Sequence, residues 1–261
     1  MTDERYVAAN TPDAFERSRL DLLARLLDPI TRRRLEFLGV PEGAACLEAG
    51  AGTGTIARWL SARVGPRGRV VALDRDTRFL EPEGALEVHQ GDLLTADLGG
   101  ERYDVAHCRA LLMHLDAPQA GVERLAGALR PGGVLLTEEE DHASFAPADP
   151  RHPSAARFEE LSRRMLRGLS GLVDPFLGRR LPALLEGAGL RPVGHEGTVA
   201  VHRGGETGGA RSARMHLQVA RAVLVQRGIL APADCDELDG ILGDPSFAFV
   251  DVTLFGAWGR R

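Results

Sequence analysis

From Ala45 to Thr137 short apolar runs alternate with segments of helical spacing, and this alternation predicts βαβ units in a mostly parallel sheet. Strand patterns fall at Ala45-Cys46-Leu47, Val70–Leu73, Leu86–His89, Tyr103–His107 and Val134–Thr137. Helical patterns fall near Thr55–Val64 and Gln119–Leu129. The flanks read differently. Phe15, Leu20, Leu23, Leu27 and Ile30 recur at helical spacing, Leu35 and Leu38 continue after Pro29, and Pro41-Glu42-Gly43 marks a turn. Beyond the alternation, helices are expected near Ala155–Leu169 and Phe176–Gly187, then a strand around Val193–Val201 and a Gly-rich loop over His202–Gly209. Two more helices near Arg211–Arg227 and Ala233–Leu242 precede a final strand around Phe247–Phe255.

The expected organisation is N-terminal cap helices over 1–40, a sheet core over 41–202, a helical lid insertion over 203–244 and a final core strand over 245–261. Phe158, Leu161, Met165 and Leu169 form one apolar stripe, and Ala213, Leu217, Ala220 and Leu224 form another. Such stripes serve as core or as pocket lining, and periodicity alone does not separate the two.

Composition removes several function classes. The 261 residues are 44% hydrophobic and 26% charged, a globular balance. A net charge of −5 argues against a broad basic face, so no nucleic-acid partner is expected. All 32 basic residues are Arg, which leaves no Lys to form a Schiff base. Cys46, Cys108 and Cys235 lie far apart with no CxxC pair, so neither a disulfide framework nor a metal site is expected, and a reducing cytoplasm fits. The polar N-terminus has no apolar signal core, and no run approaches the ~20 apolar residues of a membrane span.

The sharpest local signal is Leu47-Glu48-Ala49-Gly50-Ala51-Gly52-Thr53-Gly54, between an apolar strand and a helix. Glycines there allow a tight turn and a close backbone approach to a ligand at the carboxyl edge of the sheet. The spacing is G-x-G-x-G, whereas a dinucleotide fingerprint has G-x-G-x-x-G. Glu48, just before the turn, suits a cationic amino group better than a pyrophosphate, which it would repel.

This run resembles motif I of the class I S-adenosylmethionine-dependent methyltransferases, and four further features follow in that family's order. Leu73-Asp74 ends the second strand, Gln90-Gly91-Asp92-Leu93 follows the third, Tyr103–His107 resembles the fourth, and Leu129-Arg130-Pro131-Gly132-Gly133 resembles the entry to the fifth. The likeness covers residues 40–140 and is nearest to bacterial small-molecule methyltransferases. It implies a Rossmann-like α/β fold, with a mostly parallel seven-stranded sheet, helices on both faces and a helical lid. It implies S-adenosyl-L-methionine as cofactor, held by Glu48, Gly50, Gly52, Gly54, Asp74, Arg75, Asp92, Leu93, His107 and Arg109. Asp74 would accept from the ribose hydroxyls, Asp92 would meet the adenine amino group, and Arg109 would pair with the methionine carboxylate or lie solvated.

Two histidines are candidates for general base: His114, after the fourth strand, and His142, after the acidic run Glu138-Glu139-Glu140-Asp141. A His–carboxylate pair raises imidazole basicity; the alternatives are a packed structural His114 and a charged, solvated end to strand five. No Asn/Asp-Pro-Pro-Tyr signature follows the fourth strand, where His107-Cys108-Arg109-Ala110 stands. Methylation of a base or amide nitrogen is therefore disfavoured, while oxygen, carbon, sulfur and basic amine acceptors stay open; a small organic acceptor is expected, with O- or C-methylation favoured in natural-product tailoring. A cyclase-type relative that keeps the cofactor without transferring methyl, a non-catalytic cofactor-binding module and a homodimer all stay open.

Overall fold

The computed structural model describes residues 11–100, 102–206 and 208–261. Its elements, in chain order, are α1 (Asp13–Leu38), β1 (Ala45–Ala49), α2 (Thr55–Val64), β2 (Arg69–Asp74), β3 (Leu86–Gln90), β4 (Tyr103–Arg109), α3 (Pro118–Ala128), β5 (Leu129–Asp141) and β6 (Ala146–Pro147). Then follow α4 (Ala155–Leu169), α5 (Leu181–Gly187), β7 (Gly194–Thr198), β8 (Val201–Arg203), α6 (Gly208–Gln226), α7 (Pro232–Gly243), β9 (Ala248–Val250) and β10 (Thr253–Arg260).

The seven-stranded sheet has the order β3-β2-β1-β4-β5-β10-β7. β1 to β5 pair in parallel. β10 runs against β5: Gly132 N–H donates to the Arg261 carbonyl, Arg261 N–H to that of Gly133, and the Thr137 hydroxyl to that of Ala257. The sheet order reverses at β1 and β4, which is where an open α/β sheet forms its ligand crevice. Central strands buried on both faces need apolar residues throughout. Cys46, Val70, Ala72, Val105 and Leu136 meet that need and pack with Ile56, Leu60 and Val64 of α2.

The chain divides into two compact units. One comprises Leu27–Glu139, Leu177–Gly197 and Phe255–Arg261, and holds the seven-stranded sheet. The other comprises residues up to Leu26 with Glu140–Phe176 and Thr198–Leu254. It contains α4, α6, α7 and an antiparallel three-stranded sheet of order β6-β9-β8. Its core is aromatic: Phe158 is fully buried, with ring centroids 4.9 Å from Phe247 and 5.1 Å from Phe145.

Three segments depart from the sequence expectation. A single helix, α1, runs through Pro29 in place of separate helices; the lost N–H is offset by buried side chains on either side, Leu22 and Leu35. The run Phe247–Phe255 is two strands, because at Asp251 the backbone N–H donates to Ala200 and the carbonyl accepts from the Ser144 hydroxyl. The segment from His202 opens as strand β8.

Candidate functional site

The turn between β1 and α2 is set by its glycines. Gly50, Gly52 and Gly54 all have left-handed φ, at +72°, +56° and +75°. A side chain on Gly50 would press on Leu111 at 3.2 Å, and one on Gly54 would meet Leu80 at 2.7 Å. A Cβ on Gly52 would meet nothing within 4 Å, so here the turn borders open space. Gly52 is therefore the glycine at which a ligand can approach the backbone.

Asp74 holds this turn in place. Its Oδ2 accepts from Gly52 N–H at 2.8 Å, and its Oδ1 accepts from Asp76 N–H at 3.0 Å. Burial raises its pKa above the usual aspartate range, against the lowering effect of those amide bonds. Each carboxylate oxygen can accept a further hydrogen bond, so ribose hydroxyls remain compatible with the amide contacts. Asp92 makes its own turn, with Oδ1 accepting from Leu94 N–H at 2.8 Å, and Arg75 Nε lies 3.8 Å from Asp92 Oδ2. Leu93 has a buried side chain, and its carbonyl accepts from Arg124.

A buried chain of charges runs through the strands beside the turn. His107 of β4 is 0% exposed. Its Nδ1 lies 2.7 Å from Glu48 Oε2 on β1, and its Nε2 lies 3.0 Å from Glu138 Oε2 on β5. Glu138 also accepts from Thr31 and Arg34 of α1, each at 2.5 Å, and Arg34 Nε donates to Glu196 at 2.8 Å. Burial alone would lower the His107 pKa, but the two carboxylates override it and lift it to about 9. Burial would raise the Glu138 pKa, but His107, Arg34 and Arg109 bring it down to about 2.

Several expected roles are revised by this geometry. His107 is fully buried and spends both ring nitrogens on carboxylates, which leaves no polar side-chain atom for a cofactor. Arg109 donates to Thr31 at 2.7 Å and to Asp28 at 2.9 Å, so its guanidinium serves helix α1. The acidic run is not a solvated strand end: Glu138 and Glu139 are fully buried, and Glu139 Oε1 accepts from the Leu111 and Leu112 amides. His114 is half-buried and ends a short 3-10 turn, Leu112–His114.

His142 belongs to the other unit and begins a 3-10 turn capped by Asp141, whose carboxylate accepts from Ala143 N–H. Its Nε2 lies 3.3 Å from Glu140 Oε2, so its carboxylate partner is Glu140 and not the adjacent Asp141. The same unit holds a cluster that the sequence reading missed. Arg19 forms a two-pronged pair with Glu16 and donates to His216 Nε2 at 2.9 Å. His216 Nδ1 donates to the Ser212 carbonyl, so the ring is neutral, and burial followed by the Arg19 charge lowers its pKa. For Glu138 and His107 a signal existed, since charged residues inside fully apolar strands must find partners. For Arg19 and His216, 197 residues apart in sequence, none did.

Among the described residues no cluster of His, Cys, Asp or Glu is placed to hold a metal ion, and no helix is long and apolar enough to cross a membrane.

Residues 47–135 match a family described as a methyltransferase domain. Over 165 residues the chain is 29% identical to an uncharacterized 37.1 kDa protein in transposon TN4556 of Streptomyces fradiae, a match covering 60% of this chain and 46% of that protein. The chain spans less than half the length of the curated relatives it matches. The YcgJ protein of Bacillus subtilis superposes with a TM-score of 0.57 at 15% identity, covering 87% of this chain and 96% of that one. A phosphoethanolamine N-methyltransferase 2 of Haemonchus contortus, solved with S-adenosylhomocysteine, gives a TM-score of 0.50 at 14% identity, covering 100% of this chain and 59% of that one. At these identities the structural likeness is one of fold. The methyltransferase-domain match covers residues 47–135, which hold the glycine turn and the strands β2 to β4, and the sheet order agrees with the fold of the structures it resembles.

Proposed function

We propose that the protein is an S-adenosylmethionine-dependent methyltransferase acting on a small, largely apolar organic molecule. The observation that carries this reading is the turn Gly50–Gly54, bordered by open space at Gly52 and tied to the Asp74 carboxylate. Glu48, Gly52, Asp74, Asp92 and the Leu93 amide would hold the cofactor. When bound it supplies an electrophilic methyl group, and the protein's remaining task is to align an acceptor and accept its proton where it carries one. For that proton the best candidate is His142, part-exposed and paired with Glu140, directly after the carboxyl end of β5. His114 is the alternative base. A base or amide nitrogen is a poor acceptor here, since no Asn/Asp-Pro-Pro-Tyr segment follows β4 to orient one, and among the oxygen, carbon, sulfur and basic amine acceptors left we favour oxygen or carbon.

Calorimetry with S-adenosylmethionine and S-adenosylhomocysteine should give micromolar affinity, roughly −8 kcal/mol. Gly52→Val should abolish it with the circular dichroism retained. Tight NADH binding without response to either sulfur ligand would end this reading. A methyl-release screen over small phenols, acids and amines would then identify the acceptor.

A further inference from the structure

Both His107 nitrogens face carboxylate oxygens, Glu48 on one side and Glu138 on the other. A neutral imidazole has one N–H, so one of the two carboxylates would then face a ring lone pair. Glu138 already accepts from Arg34 and Thr31, and Arg109 reaches the same Thr31 hydroxyl. With both carboxylates ionised, the arrangement is satisfied only when His107 is an imidazolium donating both ways. Glu48 from β1, Glu138 from β5, and Arg34 from α1 beyond Glu138 are the charges ranged along this line. Without the ring between them, each of the two buried glutamates would lose the donor it faces and be free to turn away. Glu48 is the residue on which the cofactor reading relies for the donor's ammonium, and one of its oxygens is fixed by His107.

We propose that His107 is a positioning residue that acts through Glu48: its Nδ1–H fixes the Glu48 carboxylate at the foot of the glycine turn, so that the amino-acid end of the donor is recognised. This rests on the cofactor reading and predicts a selectivity which that reading alone does not. Removing His107 should affect ligands that carry the ammonium and spare those that do not.

The test uses two ligands sharing a nucleoside thioether. S-adenosylhomocysteine has the amino-acid end, and 5′-methylthioadenosine lacks it. Calorimetry on the full chain should show His107→Gln weakening S-adenosylhomocysteine by about tenfold or more, the loss expected of a charge-assisted bond. Methylthioadenosine affinity should change by less than about twofold. Glu48→Gln should give the same split, and the double variant should add little to either single one, because the two act in series. Nitrogen-15 imidazole shifts of the wild-type protein give a readout that needs no variant: His107 should carry protons on both nitrogens at pH 7.5. Equal losses for the two ligands, an unchanged S-adenosylhomocysteine affinity, or a His107 ring without a proton on Nδ1 would each overturn the proposal. A wild-type protein that binds neither ligand would instead overturn the cofactor reading beneath it.

Discussion

Asp74 and Asp104 are both part-buried acids bonded to a backbone amide of the β1 region, yet they sit at opposite ends of their strands. Asp74 closes β2 and accepts from Gly52 N–H; Asp104 opens β4, accepts from Ala45 N–H at 2.8 Å and pairs with Arg130. Asp74→Ala should therefore weaken S-adenosylhomocysteine by an amount worth about 1.5–3 kcal/mol. Asp104→Ala should leave affinity within about twofold and lower stability by about 1–3 kcal/mol, as for an orphaned buried amide. Equal affinity losses would show that the turn is not the binding edge. His142→Ala should slow turnover of a hydroxyl acceptor by about 10²–10⁴-fold with cofactor affinity kept. The deficit should shrink at high pH, where the acceptor ionises unaided; a full rate at neutral pH, with His114→Ala inactive, would move the role to His114. At this scale the glycines and Asp74 were legible, because backbone conformation and strand ends leave local patterns. The true partners of His107 and Arg109 were not, because partnership is settled by strand neighbours and by helix α1, far away in sequence.

At the scale of elements, strand β5 shows how burial overrides composition. Glu138-Glu139-Glu140-Asp141 reads as a polar end, but each buried acid has donors supplied by another element, and the strand continues to Asp141. The helices α2 and α4 coincide with their apolar periodicity, Thr55–Val64 and Ala155–Leu169. The short strands β6, β8 and β9 have two or three residues each, too few for a period-two pattern to register. They are held by the aromatic cluster they cover, since Phe249 of β9 lies 5.6 Å from Phe145 and 6.2 Å from Phe158. Phe158→Ala should accordingly cost about 3–5 kcal/mol, the range for emptying a fully packed aromatic position. Thermal melting followed by near-ultraviolet dichroism would check it. A loss below about 1 kcal/mol would mean that the cluster collapses onto the cavity, and that the three-stranded sheet does not depend on it.

For the whole molecule, two histidines of opposite character should shape stability against pH. His107, in the unit with the seven-stranded sheet, has a pKa lifted from 6.5 to about 9 by Glu48 and Glu138. Below pH 6.5 the ring is protonated in both folded and unfolded chains, and its stabilisation is fully present. As pH rises toward 9 the unfolded chain gives up that proton first, and the stabilisation is lost, on the order of 3 kcal/mol in all. Glu138, brought from 4.5 to about 2, reports the same pairing from the acid side and is lost as pH falls below 4.5. His216, in the other unit, is shifted downward by burial and by Arg19, so the unfolded chain takes up a proton below pH 6.5 that the folded ring refuses. Its destabilisation therefore begins where that of His107 ends. Melting temperature should peak near pH 6.5, with an alkaline limb belonging to His107 and an acid limb begun by His216. His107→Gln should lower the peak, flatten the curve between pH 6.5 and 9 and weaken the Glu138 contribution below pH 4.5, while leaving the limb just below pH 6.5 in place. His216→Gln should flatten the curve just below pH 6.5 and leave the alkaline limb in place. A wild-type melting temperature that stays level from pH 6.5 to 9 would show that His107 is neutral between its two glutamates. In that case one of those carboxylates must hold the proton instead.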